Sequence, residues 1–146
     1  MRLGITVRVC ANLDFEDALV TKLDLTESLQ DLCSASKLVV VPVFDDRGAT
    51  IKLYEALAAG GTVISTEVGC RAVGAPSEAI VGLDMIRAPE HAAETILRLL
   101  ADDDERESLK RRGRDFIATQ QSTVSYALAM NRVLLGVSEK RGRFVA

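Results

Sequence analysis

Two apolar runs of strand length, Leu38–Val43 and Thr62–Ser65, bracket a loop and an almost wholly apolar helix from Thr50 to Ala59. A short continuous apolar run is the pattern of a parallel strand covered on both faces. A helix apolar nearly all round has to be buried against a sheet. Strand, crossover helix and strand in that order build parallel pairing. Pro42 closes the first strand, and Gly60-Gly61 stop the helix at its C-terminus. The expected fold is α/β: a Rossmann-like parallel sheet with helices on both faces and a helical C-terminal third.

The junction between the first strand and the helix is where chemistry is expected. Free N–H groups of a first helical turn and the helix dipole favour an anion, and a parallel sheet presents that turn at its carboxyl edge. The candidate binding residues are Arg47, Gly48, Ala49, Thr50, Lys52 and Glu55. Gly48 reads equally as a turn glycine and as a close backbone approach to a diphosphate. Arg47 reads as a phosphate ligand or as a solvated loop residue beside Asp45 and Asp46. Glu55 is flanked by Leu53, Tyr54, Ala56 and Leu57, so a partner is expected for it, either Lys52 three residues earlier or a ligand hydroxyl. Asp45 and Asp46 are adjacent, point apart and have no evident third ligand, so neither a metal nor a cofactor is expected.

The rest of the chain reads as further α/β units. Leu3–Cys10 is rich in β-branched residues and is expected to be a strand, and Ala11–Asp24 gives no clear signal. Thr26 is the expected N-cap of a helix over Glu27–Ser36, with Leu29, Leu32 and Cys33 on one face. Gly69 and Cys70 are expected in a loop after the strand Thr62–Thr66, and a short strand lies within Ala79–Arg87. Pro89 suits a first helical turn, followed by the stripe Ala93, Ile96, Leu97, Leu100. Asp102–Glu105 open another helix, and Thr123–Val137 reads as a last one. A single domain over 1–137 with a loose tail over 138–146 is expected.

Composition excludes several classes. Apolar residues at 48 % and charged residues at 27 % are ordinary for a globular domain. A formal net charge of −3 gives no general attraction to nucleic acid. Cys10, Cys33 and Cys70 are widely spaced and suggest neither a disulfide framework nor a zinc site. With no secretion signal and no long apolar run, no membrane span is expected and the expected location is cytoplasmic. The sole histidine, His91, reads as a surface residue. The basic run Lys110–Arg114 reads as a solvated helix face, with peripheral contact to anionic lipid as its alternative.

From Val39 to Gly69 the sequence resembles the donor-binding, C-terminal domain of retaining glycosyltransferases built from two facing Rossmann-like domains, the glycosyl transferases group 1. The residues that carry the resemblance are Val-Val-Val-Pro-Val-Phe, then Arg-Gly-Ala-Thr-Ile-Lys-Leu-Tyr-Glu-Ala-Leu-Ala-Ala-Gly, then Thr-Val-Ile-Ser-Thr-Glu-Val-Gly. Looser similarity covers most of residues 25 to 135. Arg47 stands where many members have a second glutamate, while Gly48, Lys52 and Glu55 match members that lack it; Thr50 and Thr62 replace a frequent arginine and proline. The resemblance implies binding of a nucleotide-diphosphate sugar, with Glu55 on the ribose and the helix N-terminus on the diphosphate. No catalytic nucleophile and no cofactor are implied within the chain. An acceptor domain and the first two β-α units of the donor domain have no counterpart, so the chain looks like a fragment, a split subunit or a shrunken relative. The alternative expectation is a non-catalytic interaction module, with an uncovered strand edge that predicts a homo-oligomer or a partner chain.

Overall fold

A computed structural model describes residues 7–9, 20–22, 28–45 and 51–120. In chain order the elements are β1 (Val7–Val9), β2 (Val20–Lys22), α1 (Leu29–Ser34), β3 (Val39–Val41), α2 (Ile51–Ala58), β4 (Val63–Thr66), α3 (Glu67–Val73), β5 (Val81–Leu83), α4 (Pro89–Ala101) and α5 (Asp103–Gln120). β3, β4 and β5 form a parallel sheet in that order, with Val40 opposite Ile64 and Ser65 opposite Gly82. β1 and β2 form a separate parallel pair. The fold is α/β and Rossmann-like, as expected.

β4 is the spine of the sheet. All four of its residues are buried, and because side chains alternate along a strand, Val63 and Ile64 enter different cores. Val63 joins Cys33, Leu53, Leu57, Val73 and Ile80, the layer made by α1, α2 and α3. Ile64 joins Leu83, Ala92, Leu99 and Leu109, the layer made by α4 and the first half of α5. Phe116 and Ile117, in the second half of α5, pack against the first layer. Helices therefore cover both faces of the sheet.

Local signals set the helix limits. Ser28 caps α1, its Oγ accepting from the Asp31 amide; the expected cap Thr26 lies outside the described residues. α2 ends at Gly60, which takes φ 75°, a left-handed conformation that suits glycine. Asp102 ends α4 and begins α5, its Oδ1 accepting from the Glu105 amide at 2.8 Å. Thr123–Val137 and the tail 138–146 also lie outside the described residues.

The structure fills in one stretch that gave no clear signal and corrects three expectations. Val20–Lys22 is a strand although Ala11–Asp24 gave no signal, since a three-residue strand is too short to show a period. β3 is not covered on both faces: Val40, at its centre, is 45 % exposed. Glu67–Val73 is a helix, where a loop was expected around Gly69 and Cys70. Thr66 caps it, followed by an acid in the first turn. In α4 the buried face is Ala92, Thr95 and Leu99, one residue out of step with the expected stripe, and Leu97 is 41 % exposed. The buried threonine hides that face from a purely apolar pattern.

Candidate functional site

The carboxyl edge of the sheet is built from the segments that leave β3, β4 and β5: Pro42–Asp45, the start of α3, and the turn after Leu83. Strand β3 is fixed there by two hydroxyls from β4. Ser65 Oγ donates to Val41 O at 2.7 Å, and Thr66 Oγ1 donates to Val43 O. Thr66 Oγ1 also accepts from the Gly69 amide at 3.2 Å, so one side chain holds the exit of β3 and the entry of α3. A Cβ on Gly69 would run into Ser65 Oγ and come within 3.1 Å of Val43 Cβ, so α3 lies as close to the strands as backbone allows. At β5, Asp84 Oδ1 accepts from the Arg87 amide at 2.9 Å and shapes the turn.

α2 carries the two described candidates. Leu53, Ala56 and Leu57 are buried, whereas Ile51, Lys52, Glu55 and Ala58 face solvent. Lys52 and Glu55 thus share the outer side of the helix, three residues apart. Glu55 is exposed despite its apolar sequence neighbours, because helical spacing turns those neighbours inward and the carboxylate outward. The structural pair with Lys52 is not formed: among the described residues neither side chain has a hydrogen bond or an ion pair. Arg47, Gly48, Ala49 and Thr50 lie outside the described residues.

Residues 7–102, about two thirds of the chain, match the family described as glycosyl transferases group 1. This chain belongs to the glycosyl transferases group 1 family. No curated protein and no solved structure matches it. The family match spans β1 to the end of α4 and so contains the whole three-stranded sheet, α2 and the carboxyl edge.

Other parts of the molecule do not converge on that edge. A cavity of about 690 Å³ lies between the α3–β5 connection and α5, lined by Val73, Pro76, Arg112 and Phe116. A polar cavity of about 400 Å³ is lined by Ser36, Lys37, Arg106 and Lys110. Their lining includes the segments that lead into β5 and β3 respectively, and neither includes Lys52 or Glu55. His91 is exposed in α4. The Cys70 thiol is half-buried in α3, and burial, then the nearby Glu67 carboxylate, push its pKa up. A raised pKa leaves less of the nucleophilic thiolate at neutral pH.

Among the described residues no group of three His, Cys, Asp or Glu side chains is placed to hold a metal ion. No described helix is long and apolar enough to cross a membrane. At this edge one large aromatic side chain, Phe44, is exposed. It is 61 % exposed beside buried Val43, at the end of the Val-Val-Val-Pro-Val-Phe run that carries the resemblance.

Proposed function

We propose that this glycosyltransferase-family chain binds a nucleotide-diphosphate sugar at the carboxyl edge of its sheet, for transfer of the glycosyl group to an acceptor held by another domain. The supporting observation is the shared outer face of α2. Lys52 and Glu55 stand there solvated and, among the described residues, without a hydrogen bond or ion pair, next to the helix end that favours anions. In this reading the Arg47–Thr50 backbone and the first turn of α2 take the diphosphate. Lys52 adds a positive charge, and Glu55 accepts hydrogen bonds from the ribose hydroxyls. Holding the leaving diphosphate in place is the chain's share of catalysis.

Titration with uridine and guanosine diphosphates, followed through the amides of residues 51–55 by NMR, tests this. One of the two is expected to shift those amides. Glu55→Gln is expected to weaken it about tenfold, the scale of a lost hydrogen bond to a charged group. The matched dideoxy nucleotide should already bind the wild type that weakly and lose nothing further from Glu55→Gln. Absence of any shift at millimolar nucleotide sinks the proposal.

A second reading, an interaction module derived from such a domain, is favoured by β3. Among the described residues only β4 pairs with it, and Val40 is exposed at its centre. An apolar strand with one open edge is a template for another chain. In this reading the chain self-associates, sedimentation shows mass rising with concentration, and Val40→Lys lowers the association. A monomer at high concentration rules that reading out.

A further inference from the structure

The polar cavity of about 400 Å³ lies between the first half of α5 and the loop that leads from α1 into β3. From α5 it takes Asp103, Arg106, Glu107 and Lys110, whose helical spacing puts all four on one face. From the loop it takes Ser36 and Lys37.

The ionic groups here do not balance. Asp103 pairs with Arg106, and Glu107 pairs with Lys110 at 2.7 Å, so each carboxylate of the lining already has a cation of its own. Lys37 is left over. It is exposed, and among the described residues its ammonium has neither a hydrogen bond nor an ion pair. Arg8, from β1, adds a second cation without a carboxylate among the described residues: its Nη2 donates to Ser36 Oγ at 3.0 Å and to Ala35 O at 3.4 Å, both neutral acceptors. Lys37, Arg106, Lys110 and Arg8 thus stand against Asp103 and Glu107, a positive excess on a chain whose formal net charge is −3. The hydrogen bond and charge of Lys110, with the charges of Arg114 and Arg106, hold the Glu107 carboxyl below its usual range, as a positive field does. Hydrogen-bond donors are in excess as well. Half-buried Ser36 gives a lone pair to Arg8, and among the described residues its own hydroxyl proton has no acceptor.

We propose that this cavity binds a phosphate monoester dianion, at a second site apart from the donor site. The two surplus cations match the charge of such a group at neutral pH, about −1.5 to −2. Lys37 meets it as a point charge with no existing bond to break. Ser36 donates its hydroxyl proton, and Arg8 orients that hydroxyl from the other side. The bound group links the α1–β3 loop to α5. Neither Lys52 nor Glu55 lines the cavity, so its ligand and the nucleotide do not compete.

The test uses inorganic phosphate and glycerol phosphate, titrated at constant ionic strength against chloride, with the amides of residues 34–37 and 106–110 followed by NMR. Saturable shifts are expected with the two phosphates and not with chloride. Lys37→Ala is expected to weaken binding about tenfold, the scale of one hydrogen bond to a charged group, and Lys37→Arg to retain most of it. Urea unfolding without phosphate should be the same for both variants and the wild type, since Lys37 has no partner to lose. Flotation with phosphatidylcholine vesicles, with and without phosphatidic acid, tells the two sources of a phosphate monoester apart. Binding that needs phosphatidic acid and is lost in Lys37→Ala assigns a lipid headgroup; glycerol phosphate binding without vesicle binding assigns a soluble ester. Equal shifts with chloride overturn the proposal, because they report charge screening alone. Equal phosphate affinity in wild type and Lys37→Ala overturns it too, as does a wild type with no saturable shift at millimolar phosphate and no vesicle binding that depends on Lys37. None of these results bears on nucleotide binding, which is tested separately.

Discussion

Leu57→Ala is expected to destabilise the protein by about 3–5 kcal/mol, the range for a leucine removed from a core that cannot collapse around the gap. Leu57 is fully buried on the inner face of α2, in the layer that joins α1, α2, α3 and the end of α5. Its Cδ2 fills the notch left by Gly113 in α5, where an added Cβ would come within 3.0 Å of it. Removing the isopropyl end of the side chain therefore opens a void between two helices that meet on backbone and cannot close further. The notch also gives a second, sharper expectation. Gly113→Ala crowds Leu57 in the wild type. In the Leu57→Ala background the same methyl enters the void and removes a mid-helix glycine, so it should restore about 1 kcal/mol. Urea unfolding of the four proteins of this double-mutant cycle measures both terms. Additive effects would show that the two sites do not share the space.

The unit from β3 to β4 was legible because each signal in it is local and strong. The apolar runs mark strands, the inward positions Leu53, Ala56 and Leu57 recur at helical spacing, and Gly60 marks the stop. α3 was not legible in the same way. Its seven residues include Gly69, which reads as a helix breaker, yet that glycine is required by the contact of α3 with Ser65 and Val43. Long-range packing chose the residue, and propensity pointed elsewhere. The buried face of α4 was obscured for a related reason. Thr95 is only 9 % exposed, and a polar residue at a core position shifts the apparent apolar stripe by one.

The candidate site divides similarly. The placement of Lys52 and Glu55 on a helix after a parallel strand followed from sequence order, but their surroundings did not. Neighbours along the chain suggested an enclosed carboxylate, whereas a helix turns neighbours 100° apart and leaves Glu55 in solvent. A ligand-facing role is thus compatible with Glu55 without any burial of charge in the unliganded protein.

Arg106→Ala is expected to cost about 3 kcal/mol, although sequence reasoning would class an arginine in this charged helix as a surface residue. Arg106 is 6 % exposed. Its Nη1 donates to Leu99 O at 2.5 Å and to Leu100 O at 2.9 Å, and its Nη2 pairs with Asp103. Those carbonyls belong to the last turn of α4, which has no further helix to satisfy them. The guanidinium thus caps α4 from α5, while the Arg106 backbone carbonyl accepts from Thr62 Oγ1 at the start of β4. Truncation leaves buried acceptors unpaired next to fully buried Leu99, and a hydrogen bond to a charged group is lost with each. Asp103 is mostly solvated and contributes little, so Asp103→Asn should change stability by less than about 1 kcal/mol. Arg106→Lys should recover only part of the loss, because an ammonium cannot span two carbonyls and a carboxylate as a planar fork does. Hydrogen exchange adds the spatial check: in Arg106→Ala, protection should fall first at the amides of residues 98–102, the seam between α4 and α5. Uniform loss across the sheet would instead assign Arg106 to general packing.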